Sequence, residues 1–300
     1  MNLSKALQNL VLSGVEGGKI ILLDGAIGTE LDKRGLMGRA SNNLDSPEIV
    51  LQIQREYAQC GCDALTTNTL TMNRIFIETH NVNVFVRDVN KAGVKLARQA
   101  AGVGQYVLGD ISSTGQMLEP YGTYKEQQFY DTFKEQAEIL AEAGVDGFII
   151  ETVFDLHEAL CALRACKDIF SLPVIVSIAF ATETKGARTI MGNTASECAK
   201  QLTDAGADAL GANCGDLDPA QMAVVVSLLK KETNVPILAQ PNAGRPRLVE
   251  DKTTFDMGPE AFAAGINKCL QAGARLVGGC CGTTPAHIRA VADLLNRKKR

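Results

Sequence analysis

Gly206-Ala207-Asp208-Ala209-Leu210-Gly211-Ala212-Asn213-Cys214-Gly215 compresses a helix end, a strand and a polar loop into one short stretch. Glycine suits the left-handed position that closes a helix, and the next two residues leave room only for a tight turn. The apolar run over 209–212 then reads as a strand, and Asn213-Cys214 delivers chemistry where that strand stops. The opening of this stretch recurs. Gly61-Cys62-Asp63-Ala64-Leu65, Gly144-Val145-Asp146-Gly147-Phe148 and Gly273-Ala274-Arg275-Leu276-Val277 each end a helical pattern and open a strand. With the first stretch they precede the second, fourth, sixth and eighth strands.

Working outward, apolar runs over 20–23, 64–66, 106–108, 147–150, 174–179, 209–212, 236–239 and 275–277 alternate with helical patterns over 49–58, 84–101, 126–143, 156–170, 196–205, 219–231, 259–272 and 285–296. Strand then helix, repeated in this way, predicts an α/β fold with a parallel sheet. The turns entering the strands are short, whereas the connections leaving them are long at 68–82, 111–124, 180–193 and 240–258. That asymmetry is the mark of a (β/α)8 TIM barrel, whose active site occupies the C-terminal strand ends. An open doubly wound sheet is the alternative, but no G-x-G-x-x-G follows any strand. Leu3, Leu7, Leu10 and Val11 fall at helical spacing, so residues 1–18 are expected to form an N-terminal helix and lead-in that closes one end. The whole chain, 1–300, reads as a single domain.

Composition narrows the function classes. A chain of 300 residues with 46% apolar content buries a large core without staples, and its nine cysteines, an odd number, suit reduced thiols in a cytoplasmic protein. The net charge of −4 argues against nucleic acid and anionic membrane as partners. No apolar run approaches the ~18 residues of a membrane span, and no basic-then-apolar leader opens the chain. The basic ending Arg297-Lys298-Lys299-Arg300 is expected to be a frayed tail.

The strand ends read in order Asp24, Thr67-Asn68, Asp110, Glu151, Phe180, Asn213-Cys214, Gln240-Pro241-Asn242 and Cys280-Cys281. Because alternate strands share a side-chain layer, Thr67, Glu151, Cys214 and Cys280 are expected at one level of the mouth. The last cysteines lie in Gly278-Gly279-Cys280-Cys281-Gly282-Thr283-Thr284-Pro285, where Thr284 can cap the next helix and Pro285 suits its first turn. Free N–H groups and the positive helix end then favour thiolates. Three convergent sulfurs with one vacant position describe a catalytic zinc site held by Cys214, Cys280 and Cys281. A Cys280–Cys281 redox disulfide would need a strained ring. Cys60, Cys62, Cys161, Cys166, Cys198 and Cys269 are expected to pack, and His80, His157 and His287 to be solvated helix residues. Asp24-Gly25-Ala26-Ile27-Gly28-Thr29 reads as an anion-cradling turn, and Glu151 as a carboxylate placed for a substrate ammonium.

Together, Asp24-Gly25-Ala26-Ile27-Gly28-Thr29, Thr67-Asn68-Thr69, Gly109-Asp110-Ile111-Ser112-Ser113-Thr114-Gly115, Glu151-Thr152, Gly211-Ala212-Asn213-Cys214, Gln240-Pro241-Asn242-Ala243-Gly244 and the 278–285 stretch resemble the homocysteine S-methyltransferase family. The resemblance covers nearly the whole chain and implies a zinc-dependent methyltransferase that converts homocysteine to methionine. It implies that Cys214, Cys280 and Cys281 hold zinc, that Asp24 and Glu151 hold the substrate's amino group, and that the turn with Gly25, Ala26 and Gly28 holds its carboxylate. Thr67, Asn68 and Asn213 complete the implied substrate contacts.

The segment over 109–122, with Leu118-Glu119-Pro120, is most similar to the homocysteine module of cobalamin-dependent methionine synthase, which implies a methylcorrinoid donor on a separate module or protein. No aromatic follows Glu151 and Trp is absent, so a betaine-type cation cage is not expected. S-methylmethionine as donor, and a zinc- and thiol-binding barrel without turnover, are the competing expectations.

Overall fold

The computed structural model describes residues 2–12, 19–169, 171–249 and 252–296. In chain order the elements are α1 (Leu3–Leu12), β1 (Ile21–Leu22), α2 (Gly28–Lys33), α3 (Asn42–Asp45), α4 (Pro47–Ala58), β2 (Ala64–Thr66), α5 (Arg74–Thr79), α6 (Val86–Ala100), β3 (Tyr106–Ile111), α7 (Glu126–Ala143) and β4 (Gly147–Val153). They continue with α8 (Leu156–Ile169), β5 (Val174–Ile178), α9 (Ala195–Asp204), β6 (Ala209–Asn213), α10 (Pro219–Glu232), β7 (Ile237–Gln240), β8 (Arg247–Val249), β9 (Lys252–Thr254), α11 (Pro259–Gln271), β10 (Ala274–Val277) and α12 (Pro285–Leu294).

Eight parallel strands form one sheet in the order β1-β10-β7-β6-β5-β4-β3-β2, and a parallel bridge between Leu23 and Ala64 joins its two edges. This is the expected (β/α)8 barrel. The four repeat glycines, Gly61, Gly144, Gly206 and Gly273, all take positive φ, the conformation that turns each helix back into its strand. The lead-in over 13–18, the Val11 side chain and the ending Arg297-Lys298-Lys299-Arg300 lie outside the described residues. Among the described residues no helix is long and apolar enough to cross a membrane.

Side-chain alternation divides the barrel interior into an apolar floor and a polar mouth. Ile21, Leu23, Ala64, Leu108, Ile149, Ile175, Ala209, Leu238 and Leu276 cluster with Leu3, Leu7 and Leu10 of α1, which plugs the N-terminal end. Burying each such leucine contributes about 1.5–3 kcal/mol. Two residues further along the same strand faces come Thr66, Asp110, Glu151, Ser177 and Gln240, all buried and all polar. Gly211 occupies the corresponding place in β6, where an added Cβ would lie 2.1 Å from the Leu238 carbonyl oxygen. Only glycine lets β6 and β7 approach so closely at this level.

Three differences from expectation bear on the site. Strands β3, β4, β6 and β7 run on through Asp110, Glu151, Asn213 and Gln240, because these residues stay in register with their neighbours, as in the Asn213–Gln240 pair. Thr67 and Cys214 consequently do not share a strand-face position with Glu151, and Thr66 does. The 240–258 connection contains the antiparallel hairpin β8–β9, whose Leu248 and Val249 are exposed, so no buried apolar face announced it.

Candidate active site

The mouth encloses a cavity of about 530 Å³, lined among others by Asp24, Thr66, Asp110, Glu151, Gln240, Cys214, Cys280 and Cys281. The cysteines converge. Their Sγ atoms all lie within 4.8 Å of one another, and Cys214 Sγ is 3.9 Å from Cys281 Sγ. Backbone conformation sets this up. Cys214 adopts φ 52° and Gly215 φ 66°, which turns the chain sharply past β6. Gly215 is required there, since a Cβ would sit 2.3 Å from the Phe180 carbonyl oxygen.

The Gln240-Pro241-Asn242 segment stitches both sulfur loops together. Cys214 N–H donates to the Gln240 carbonyl at 3.3 Å, Cys280 N–H to the Pro241 carbonyl at 2.9 Å, and Ala243 N–H to the Cys281 carbonyl at 2.9 Å. Asn242 Nδ2 donates to the Gly215 carbonyl at 2.8 Å. The eighth loop is tied to the first in the same way, with Gly279 N–H on the Asp24 carbonyl at 3.0 Å and Gly282 N–H on Thr29 Oγ1 at 3.1 Å.

Thr284 caps α12 as expected and Pro285 occupies its first turn. Of the two thiolates expected at the helix end, only Cys281 is favoured: its contacts with the sulfurs of Cys214 and Cys280, rather than the helix end, bring it down to about 4. Cys280 moves well above the thiol range because its proton is engaged by Cys214 and Cys281. The other six cysteines are buried, in keeping with a packing role.

Facing the sulfurs is a group of carboxyls. Asp24 is 1% exposed; its Oδ2 accepts from Thr66 N–H at 2.8 Å and its Oδ1 from Thr66 Oγ1 at 3.1 Å. Burial, opposed by those Thr66 bonds and reinforced by Glu151, pushes it up to about 8. Glu151 Oε2 accepts from Asn213 Nδ2 at 2.6 Å, and burial, with the Cys214 sulfur adding to it, raises the carboxyl to about 7. Asn213 is fully buried, and its Oδ1 accepts from Thr152 N–H at 3.0 Å and Ser177 Oγ at 2.8 Å. This network fixes the Glu151 carboxylate rather than presenting Asn213 itself. Acidic groups raised by burial, with no ion pair to Asp24 or Glu151 among the described residues, are suited to a ligand ammonium.

The other expected contacts fall around this centre. Gly25, Ala26, Gly28, Thr67 and Asn68 line the cavity. Ala26 N–H is already given to Thr283 Oγ1 at 3.1 Å, so the remaining N–H groups of that turn are the ones open to an anion. Asn68 Nδ2 donates to Asn43 Oδ1 at 3.0 Å, which braces its loop against α3. Thr67 Oγ1 is held by Thr69 and by the Asp110 N–H.

Sequence reasoning missed Thr66 and Ser177, whose signal was the strand-face alternation from Ala64 and Ile175, and Thr283, which sits in the 278–285 loop where no alternation applies. His287 is buried, not solvated: its Nδ1 accepts from Thr284 N–H at 3.2 Å and its Nε2–H donates to the Met257 carbonyl at 2.8 Å.

Comparison with known proteins places this arrangement. The homocysteine S-methyltransferase family model matches residues 21–295. The chain is 30% identical to a methionine synthase of Mycobacterium tuberculosis over 317 aligned positions, which cover 99% of this chain and 26% of that protein. A methionine synthase of Mycobacterium leprae is 29% identical, over 93% of this chain and 24% of that protein. The chain thus spans about a quarter of the length of these curated relatives. Among solved structures, the metallated form of the homocysteine methyltransferase MmuM from Escherichia coli superposes with TM-score 0.77 at 22% identity, covering 95% of this chain and 100% of that one. The carboxyl transferase domain of Rhizobium etli pyruvate carboxylase gives TM-score 0.55 at 16% identity, over 98% of this chain and 50% of that one. At such identities both likenesses speak to the barrel fold alone.

Proposed function

Because the chain belongs to the homocysteine S-methyltransferase family, we propose that it methylates homocysteine to methionine on a zinc site formed by Cys214, Cys280 and Cys281, with a methylcorrinoid on a separate module or protein as the donor. The observation that carries the reading is the convergence of these sulfurs within 4.8 Å of one another at a cavity that also holds Asp24 and Glu151. The donor set fits the metal: soft thiols, three in number, and no fourth metal-capable side chain in the group among the described residues. Bound there, zinc would supply the Lewis acidity that keeps a substrate thiol ionised at neutral pH.

The chain's own residues bind and orient. Asp24, fixed by Thr66, and Glu151, fixed by Asn213, take the substrate ammonium, and the turn at Gly25–Gly28 faces its carboxylate. The substrate sulfur is thereby directed at the cysteines with one lone pair left toward the mouth. Methyl transfer forms the S–CH3 bond as the donor–methyl bond breaks, and the bonding pair leaves with the donor.

Similarity to methionine synthases along nearly the entire chain supports a corrinoid donor. So does the rim. Tyr121, Ile190 and Leu248, on the loops after β3, β5 and β7, are each more than 70% exposed, at 77%, 74% and 74%, an apolar surround suited to a transient carrier. A cytoplasmic setting would keep the thiols of the cavity reduced. The test supplies the zinc-loaded protein and homocysteine with free methylcobalamin, a methylcorrinoid-loaded carrier, S-methylmethionine or betaine, and follows methionine. Turnover with the corrinoid donors is expected. Turnover with S-methylmethionine far above both corrinoid arms would refute the donor assignment, and no methionine from any donor would refute the activity.

A further inference from the structure

Beyond the two carboxylates assigned above, a third carboxyl enters the cavity without a task. Asp110 follows Leu108 by two residues on one face of β3, so it points into the barrel directly above the apolar floor. Its backbone is strapped on both sides: its N–H donates to Thr67 Oγ1 at 2.9 Å, its carbonyl accepts from Thr69 Oγ1 at 2.7 Å, and those hydroxyls lie 2.6 Å apart. The side chain is 6% exposed and lines the cavity, yet its Oδ1 has no hydrogen-bond partner. No ion pair among the described residues involves Asp24, Asp110 or Glu151.

A buried carboxyl without a donor is costly, and here the fold fixes it in place instead of letting it turn to solvent. Asp24 already accepts from Thr66 and Glu151 from Asn213, whereas Asp110 Oδ1 accepts from nothing among the described residues. An ammonium carries three N–H donors, one more than Asp24 and Glu151 match singly. We infer that Asp110 is the third acceptor for the substrate ammonium, a substrate-binding residue that selects an α-amino thiol over its des-amino analogue. Thr67 then serves as a positioning residue, acting through the Asp110 backbone. The inference rests on the homocysteine reading above. It adds a source of discrimination, since an analogue without the ammonium leaves three buried carboxyls unmatched instead of two.

The test titrates zinc-loaded wild type, Asp110→Asn and Asp110→Ser with homocysteine and with 4-mercaptobutanoate by calorimetry, and measures zinc content and unfolding temperature on the same samples. The wild type is expected to prefer homocysteine. Each variant should lose roughly 10-fold or more in homocysteine affinity while keeping zinc and its affinity for 4-mercaptobutanoate. Equal losses for both ligands, or wild-type selectivity in a folded, zinc-loaded variant, overturn the inference and leave the homocysteine reading standing. Failure of both variants to fold also overturns it, because a carboxyl held for ligand binding is dispensable for folding. A wild type without preference for homocysteine overturns the reading and the inference together.

Discussion

Replacing Asp24 by Asn should make the metal-free, ligand-free chain more stable at neutral pH. The Asp24 carboxyl moves from the usual 3.8 to about 8 on folding, chiefly through burial. Its folded pKa is raised, so between those values the folded chain binds more protons than the unfolded chain, and stability falls as pH rises. The contribution is intact below pH ~4 and is lost progressively up to pH ~8. At about 1.4 kcal/mol per pH unit, Asp24 alone removes roughly 3 kcal/mol between pH 5 and pH 7.

Asn is isosteric and can still accept the Thr66 N–H bond, but it has no charge to desolvate, so the Asp24→Asn curve lacks this slope. Glu151, raised in the same sense to about 7, contributes to both proteins and largely cancels in their difference. The assay is urea unfolding of wild type and variant at closely spaced pH values from 5 to 7. Parallel stability curves for the two proteins over that range would refute the argument that Asp24 is buried at a cost borne for ligand binding.

Any of Cys214→Ala, Cys280→Ala or Cys281→Ala should strip most zinc from the purified reduced protein, whereas Cys60→Ala and Cys166→Ala, which alter buried packing cysteines, should retain it; metal analysis of the set decides. Gly211→Ala places a methyl 2.1 Å from the Leu238 carbonyl oxygen and should destabilise the barrel by about 3 kcal/mol or more, read as a fall in the urea midpoint at unchanged slope.

The barrel was legible because its signals are local and periodic. The left-handed glycines at 61, 144, 206 and 273 mark strand starts by backbone geometry that no other residue adopts as cheaply, and they recur often enough to reveal the repeat. Cysteines at two strand ends were legible as a cluster for the same reason, since the fold dictates that C-terminal ends of strands meet. Parity was harder. Both Thr66 and Thr67 line the cavity, but which of them shares the strand-face level of Glu151 depends on a one-residue register that the short run over 64–66 does not fix. Cys214 escapes the alternation because its positive φ lies just beyond β6, where strand periodicity has ended. Asn242 and Ser177 act through long-range bonds to Gly215 and Asn213, and no local pattern encodes a partner so distant in sequence. The β8–β9 hairpin, with exposed Leu248 and Val249, lacks the half-buried alternation by which strands are recognised.

The placement of the acidic groups follows from the barrel's own layering. Each strand that supplies an apolar residue to the floor supplies its next inward residue to the mouth, so Leu108 and Ile149 fix the depth at which Asp110 and Glu151 enter. At that depth the carboxyls are buried, so their charged forms are poorly solvated. A cationic ligand removes the penalty, and a ligand without a positive charge does not. Under the proposed function, the same burial that weakens the empty barrel as pH rises would make its mouth discriminate, with the sulfur loops held together by the Gln240 and Pro241 carbonyls and the Asn242 side chain.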